Sequence, residues 1–146
     1  MSERHNIERL HDELDQLFDD LWRLPRFGRP RRAFRPHVDA FRTTDPDEVT
    51  AVVDLAGVDP DEVHVAVVDS TLVVAGVRPR HEPECPRSYY HLEIEHGPFE
   101  RRIALPEDVD AEQARASYDR GLLTIVLPLA AKPAAPVKAS IPVARR

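Results

Sequence analysis

Cysteine is almost missing: Cys85 is the only one in 146 residues, which excludes an internal disulfide framework and any cysteine-based zinc site. Long apolar runs are missing too. No stretch approaches the roughly 20 apolar residues that cross a bilayer, so no stable membrane association is expected. The opening Met1-Ser2-Glu3-Arg4-His5 lacks the basic-then-apolar order of a secretory signal, and the expected address is the cytoplasm. The short signatures of chemistry are also lacking. There is no His-Glu-x-x-His, no cysteine pair, no phosphate loop and no nucleophile elbow. Most of His37, His64, His81, His91 and His96 fall in turns or on polar faces, and nothing specifies a converging ligand set, so they read as surface histidines. Neither a catalytic centre nor a cofactor or metal is expected.

What remains is globular: 42% of residues are apolar and 32% charged, enough for one modest core with terminal extensions. The net charge of −6 is unevenly spread. Residues 1–35 carry 8 basic and 7 acidic groups, residues 36–128 carry 8 and 19, and residues 129–146 carry 4 and none. So acidic a middle argues against a nucleic-acid partner, because phosphate binding needs a concentrated basic face. The one basic cluster, Arg23, Arg26, Arg29, Arg31, Arg32 and Arg35, is interleaved with Pro25 and Pro30 and reads as a solvated linker.

Three segments follow from the hydrophobic periodicity. Within residues 1–35, Ile7, Leu10, Leu14, Leu17 and Leu21 recur at steps of three and four, widened by Phe18 and Trp22, which predicts an amphipathic helix ended by Pro25. Such a stripe must be covered by its own domain, by its own oligomer or by something it binds. Residues 25–36 read as an extended Arg/Pro linker. From 36 to 128 the period becomes two, as in an all-β antiparallel sandwich. The predicted runs are Val49 to Leu55, Val63 to Val67, Thr71 to Val77, Phe99 to Leu105 and Leu122 to Leu127. Asp69-Ser70 has the length of a hairpin turn, and Asp119-Arg120-Gly121 supplies a glycine for a positive φ. Ala111 to Ala116 is made of good helix formers, yet the alternation of Ala114, Ala116 and Tyr118 fits a strand equally well. The stretch from Arg78 to Tyr90, holding Pro79, Pro83 and Pro86, is a long loop of the kind that is commonly functional. Residues 129–146 follow Pro128 and hold Pro133, Pro136 and Pro142 with many alanines, and read as a flexible tail that forms no core and carries one apolar sequence, Ile141-Pro142-Val143.

Several of these segments together resemble a known family, the small heat-shock proteins with their alpha-crystallin domain. Asp54-Leu55-Ala56-Gly57-Val58 is similar to the family's Asp-Leu-Pro-Gly turn, and Leu72 to Arg78 to its Leu-x-Ile-x-Gly-x-Arg strand. Glu93, Gly97, Phe99 and Arg101, running into Leu105-Pro106, resemble its Glu-x-x-x-Gly-x-Phe-x-Arg segment. Ala116 to Leu123 resembles its Ala-x-x-x-Asn-Gly-Val-Leu signature, and Ile141-Pro142-Val143 its C-terminal Ile-x-Ile/Val motif. Three positions depart from the pattern: Ala56 where proline is usual, Arg120 where asparagine is usual, and Ala114 where a larger aliphatic is common.

The resemblance implies an immunoglobulin-like sandwich and an ATP-independent holdase that keeps unfolding proteins from aggregating. It also implies self-assembly of dimers into larger oligomers. For dimer formation by strand exchange it points to Val38, Asp39, Ala40 and Phe41 of one subunit against Tyr89, Tyr90, His91, Leu92 and Glu93 of another, with Arg101. For higher assembly it points to Ile141, Pro142 and Val143 inserting between Val63, Val65 and Val67 and Ala114, Ala116 and Tyr118 of a neighbouring dimer. Client capture is expected from Leu10, Leu14, Leu17, Phe18, Leu21 and Trp22. An adaptor that docks one defined partner is the competing reading, but it would need neither the apolar helix nor the tail.

Overall fold

Each predicted β run begins with side chains that alternate, and the two faces meet different surroundings. The computed structural model describes residues 34–131 and 138–146. The predicted helix, with Leu10, Leu14, Leu17, Phe18, Leu21 and Trp22, lies outside the described residues. The strands among the described residues are β1 (Val38–Thr44), β2 (Asp47–Asp54), β3 (His64–Val68), β4 (Thr71–Arg78), β5 (Gly97–Ala104), β6 (Arg115–Asp119), β7 (Leu122–Pro128), β8 (Lys138–Ile141) and β9 (Val143–Arg145). They form a five-stranded sheet in the order β1-β2-β7-β6-β9 and a four-stranded sheet in the order β5-β4-β3-β8.

The register places apolar residues opposite apolar residues. Val49, Ala51 and Val53 of β2 pair with Leu127, Ile125 and Leu123 of β7, and Val65 and Val67 of β3 pair with Val74 and Leu72 of β4. These side chains, with Phe99, Ala116 and Ile141, make one buried cluster between the sheets. Cross-strand aliphatic pairing of this kind stabilises both the ladder and the interface between layers. β4 departs from simple alternation, since Val73 and Ala75 on its other face are buried as well.

Two of the sheet changes, from β2 to β3 and from β5 to β6, pass through single 3-10 turns, Pro60–Glu62 and Ala111–Gln113. Each is capped by an aspartate: the Asp61 amide donates to Asp59 Oδ1 at 3.0 Å, and the Glu112 amide to Asp110 Oδ1 at 3.1 Å. The cap satisfies an amide that would otherwise lack a partner at the start of the turn. The second turn settles the ambiguity of Ala111 to Ala116. Ala111–Gln113 spends its helical propensity on one turn, and from Arg115 the ladder with β7 imposes the extended form.

Hairpins form where the turn residues placed them. Val68 pairs with Thr71 across Asp69-Ser70, with Asp69 at φ 54°. Asp119 pairs with Leu122 across Arg120, at φ 48°, and Gly121, at φ 87°. The turn after β2 closes through the Val58 amide on the Leu55 carbonyl at 3.1 Å, with Gly57 at φ 81°.

The tail differs from its expectation. Residues 138–146 are not a solvated extension: they form β8 and β9, and Ile141, 3% exposed, belongs to the core cluster. The reason is partner geometry rather than propensity, because both short strands complete ladders along existing strand edges.

Candidate functional site

The open end of the sandwich lies between the edge of β3 in one sheet and the edge of β6 in the other. Val65 and Val67 are buried on β3. Val63, in extended conformation just before that strand, is buried too. Ala116 is buried on β6, with Ala114 and Tyr118 partly buried against the core. The Tyr118 hydroxyl donates to the Leu55 carbonyl at 3.1 Å, and burial pushes its phenol above the ordinary tyrosine range.

Ile141-Pro142-Val143 occupies this groove. Ile141 stands opposite Val65, with Ser140, Ala139 and Lys138 continuing antiparallel along Ala66, Val67 and Val68. Val143 stands opposite Ala116, with Ala144 and Arg145 continuing parallel along Ser117 and Tyr118. The tail thus leaves one sheet and joins the other at Pro142, the single residue between the two ladders. A proline fits there because it has no N–H to contribute and already favours extended backbone. β8 lies against the 3-10 turn Ala111–Gln113 and β9 against Pro60–Glu62, so the two crossovers border the groove.

The other group of residues sits elsewhere on the domain. Val38 to Phe41 lie in β1, which pairs with β2 on one side only and is an edge of its sheet. Phe41 is 50% exposed. Residues 79–96 form no strand, and Tyr89, Tyr90, His91, Leu92 and Glu93 are all exposed within them. Tyr90, Leu92 and Ile94 point to a period-two apolar stripe in water, Tyr90 being 97% exposed. Ile94 was not singled out by the motif comparison, although its alternation with Leu92 was available. The loop is not loose at its base. Arg78 Nε donates to the Glu95 carbonyl at 2.8 Å, and its guanidinium stacks 3.8 Å from the Phe34 ring, which itself meets Phe99 edge-on at 5.3 Å. Within the loop, Arg87 donates to the Tyr89 hydroxyl at 2.8 Å and holds that phenol below its usual range. Arg101 was grouped with these residues by the motif; within this chain its guanidinium donates to the Pro36 carbonyl just ahead of β1.

Among the described residues no three His, Cys, Asp or Glu side chains gather into a metal-holding group, and no helix is long and apolar enough to cross a membrane.

Residues 42–144, most of the sandwich and its tail strands, match the profile of the Hsp20/alpha crystallin family. The chain belongs to this family. Among related sequences, the 16.9 kDa class I heat shock protein 1 of Triticum aestivum is 40% identical over 79 residues, covering 53% of this chain and 52% of the relative. The chain therefore spans about half the length of that relative. Two solved structures share the fold. HspA from Xanthomonas axonopodis has a TM-score of 0.61 at 29% identity, over 71% of this chain and 100% of its own. A small heat-shock protein from Xylella fastidiosa has a TM-score of 0.60 at 29% identity, over 71% and 94%.

Proposed function

We propose that this Hsp20/alpha crystallin protein is a holding chaperone that works without nucleotide, assembles from identical subunits, and covers apolar surface on unfolding proteins. The observation that carries this reading is the seating of Ile141 and Val143 in a groove that the domain leaves open between its sheets. No contact in that groove depends on the covalent link through residues 132–137, so the tail of a neighbouring chain meets the same surface. Burying one such aliphatic stabilises by only about 1.5–3 kcal/mol. Association costs consume much of that, so each exchanged tail is reversible and the assembly depends on many of them.

Strand exchange supplies the dimer in this reading. The free edge of β1 and the exposed alternation Tyr90, Leu92, Ile94 are complementary, because an edge needs a partner strand and an apolar stripe needs cover. The relatives agree in kind: they are named heat shock proteins, and the Xylella fastidiosa structure is described as having a distinct high order structure.

Clients are bound by apolar surface that becomes free when tails release, together with the apolar residues Leu10, Leu14, Leu17, Phe18, Leu21 and Trp22 of the expected N-terminal helix. A chain beginning at Ala33, which keeps the buried Phe34, is expected to keep the sandwich but to protect a heat-labile enzyme poorly, as read by turbidity beside the full chain. Full protection by the shortened chain would remove the helix from this account.

A further inference from the structure

The tail is held beyond its apolar motif, by a contact that nothing in the motif anticipates. After Val143 the parallel ladder with β6 continues, and the Arg146 amide donates to the Tyr118 carbonyl at 3.0 Å. This register carries Arg145 to the 3-10 turn Pro60–Glu62. There its Nη2 donates to Asp59 Oδ1 at 2.8 Å and to Asp61 Oδ2 at 3.1 Å.

A solvent-exposed ion pair is usually worth little, because two mobile side chains must be ordered to make it. Here half of that ordering is already done. Asp59 is the cap of the turn, and the oxygen that meets Arg145 is the one accepting the Asp61 amide at 3.0 Å. The carboxylate is therefore fixed whether or not the tail is present, and a second one stands beside it. The charges agree on the larger scale: residues 129–146 carry four basic groups and no acidic one, against the 8 basic and 19 acidic groups of residues 36–128.

We propose that Arg145, read by Asp59 and Asp61, is a third anchor that determines which tail the groove accepts. The occupant is this chain's own C-terminal segment, in the pattern aliphatic-Pro-aliphatic-x-Arg. The two aliphatics supply most of the holding energy but cannot tell one apolar tail from another. The arginine adds a charge at a fixed distance from Ile141, so a tail with an acidic residue there meets two carboxylates and is rejected. Because the contact is exposed, with Arg145 59% exposed, it is screened by salt, whereas the aliphatic contacts are not. This pair of contacts thus makes tail release sensitive to ionic strength. The inference rests on the groove-and-tail reading above.

Hydrogen–deuterium exchange of the full-length protein separates the two. In I141G/V143G the amides of residues 138–146 are expected to lose their protection at every salt concentration. In R145E at low salt their exchange is expected to rise by roughly three- to tenfold, and added salt is expected to lower it again by screening the new repulsion, the reverse of its effect on the parent. D61R alone should also raise exchange at low salt, and R145E/D61R should exchange more slowly than R145E by restoring one of the two pairs with its signs exchanged, the recovery being partial because Asp59 is unchanged. R145E exchanging like the parent at low salt, while I141G/V143G is deprotected, overturns the third anchor and leaves the docking intact. Unchanged protection in I141G/V143G overturns the docking, and the anchor with it.

Discussion

Two adjacent residues in the turn after β6 illustrate how much a single φ angle decides. Arg120 and Gly121 both have positive φ, at 48° and 87°, and only the glycine is at ease there. A Cβ on Gly121 would also lie 3.2 Å from the Cα of Ala56, across the contact that joins this turn to the one after β2. Gly121→Ala is expected to destabilise by at least about 1–2 kcal/mol from backbone strain. Arg120→Asn is expected to stabilise by about 0.5–1 kcal/mol, because asparagine tolerates the left-handed region and the Asp119 pair it gives up is exposed. The midpoint of urea unfolding at unchanged slope checks both, and a lower midpoint for Arg120→Asn would contradict this view of the turn. Gly76 shows a different constraint. A Cβ there would come within 2.9 Å of the Phe99 ring, so the glycine lets β4 and β5 carry the Phe34, Phe99 and Arg78 stack. The motifs marked these glycines; the reasons for them needed coordinates.

At the scale of elements, legibility followed how strongly a segment's own residues dictate its state. β2, β3, β4 and β7 are rich in valine and leucine with period two, and they fall close to where that pattern placed them. β6 was ambiguous because Ala111 to Ala116 has small, helix-tolerant residues, and the ladder with β7 made the decision. β8 and β9 were invisible locally: Lys-Ala-Ser-Ile and Val-Ala-Arg have little strand character, and their conformation comes from the edges they join. The groove's two walls were named only through the family motif, since nothing local brings Val65 and Ala116 together. The Arg145 contact was out of reach altogether, with its partners 86 and 84 residues away. Tail docking has a consequence at this scale. Replacing Ile141 and Val143 by glycine is expected to reduce the assembly to dimers or smaller species in light scattering, with the sandwich still folded. An unchanged mass would show that other contacts hold the subunits.

In the proposed function the molecule as a whole is a stable sandwich with surfaces that are covered only part of the time. The tail contributes Ile141 to the core between the sheets, and the rest of that core comes from residues ahead of the tail. Around that core lie a groove closed by a weak, salt-sensitive segment, an edge strand with one bare side, and a loop that carries an apolar stripe in water. In the proposed function each is a surface that copies of the chain cover for one another, and each becomes available when copies separate. Warming weakens such small interfaces before it unfolds the domain, which places exposure of the binding surface ahead of loss of the fold. The most direct measurement is light scattering during the heating of an unrelated, thermolabile enzyme with an equal number of these chains and no nucleotide. The expected result is low scatter, with the enzyme recovered in soluble particles that also contain this protein. An enzyme that precipitates as it does alone, beside a protein that stays a solitary compact particle, would contradict the account.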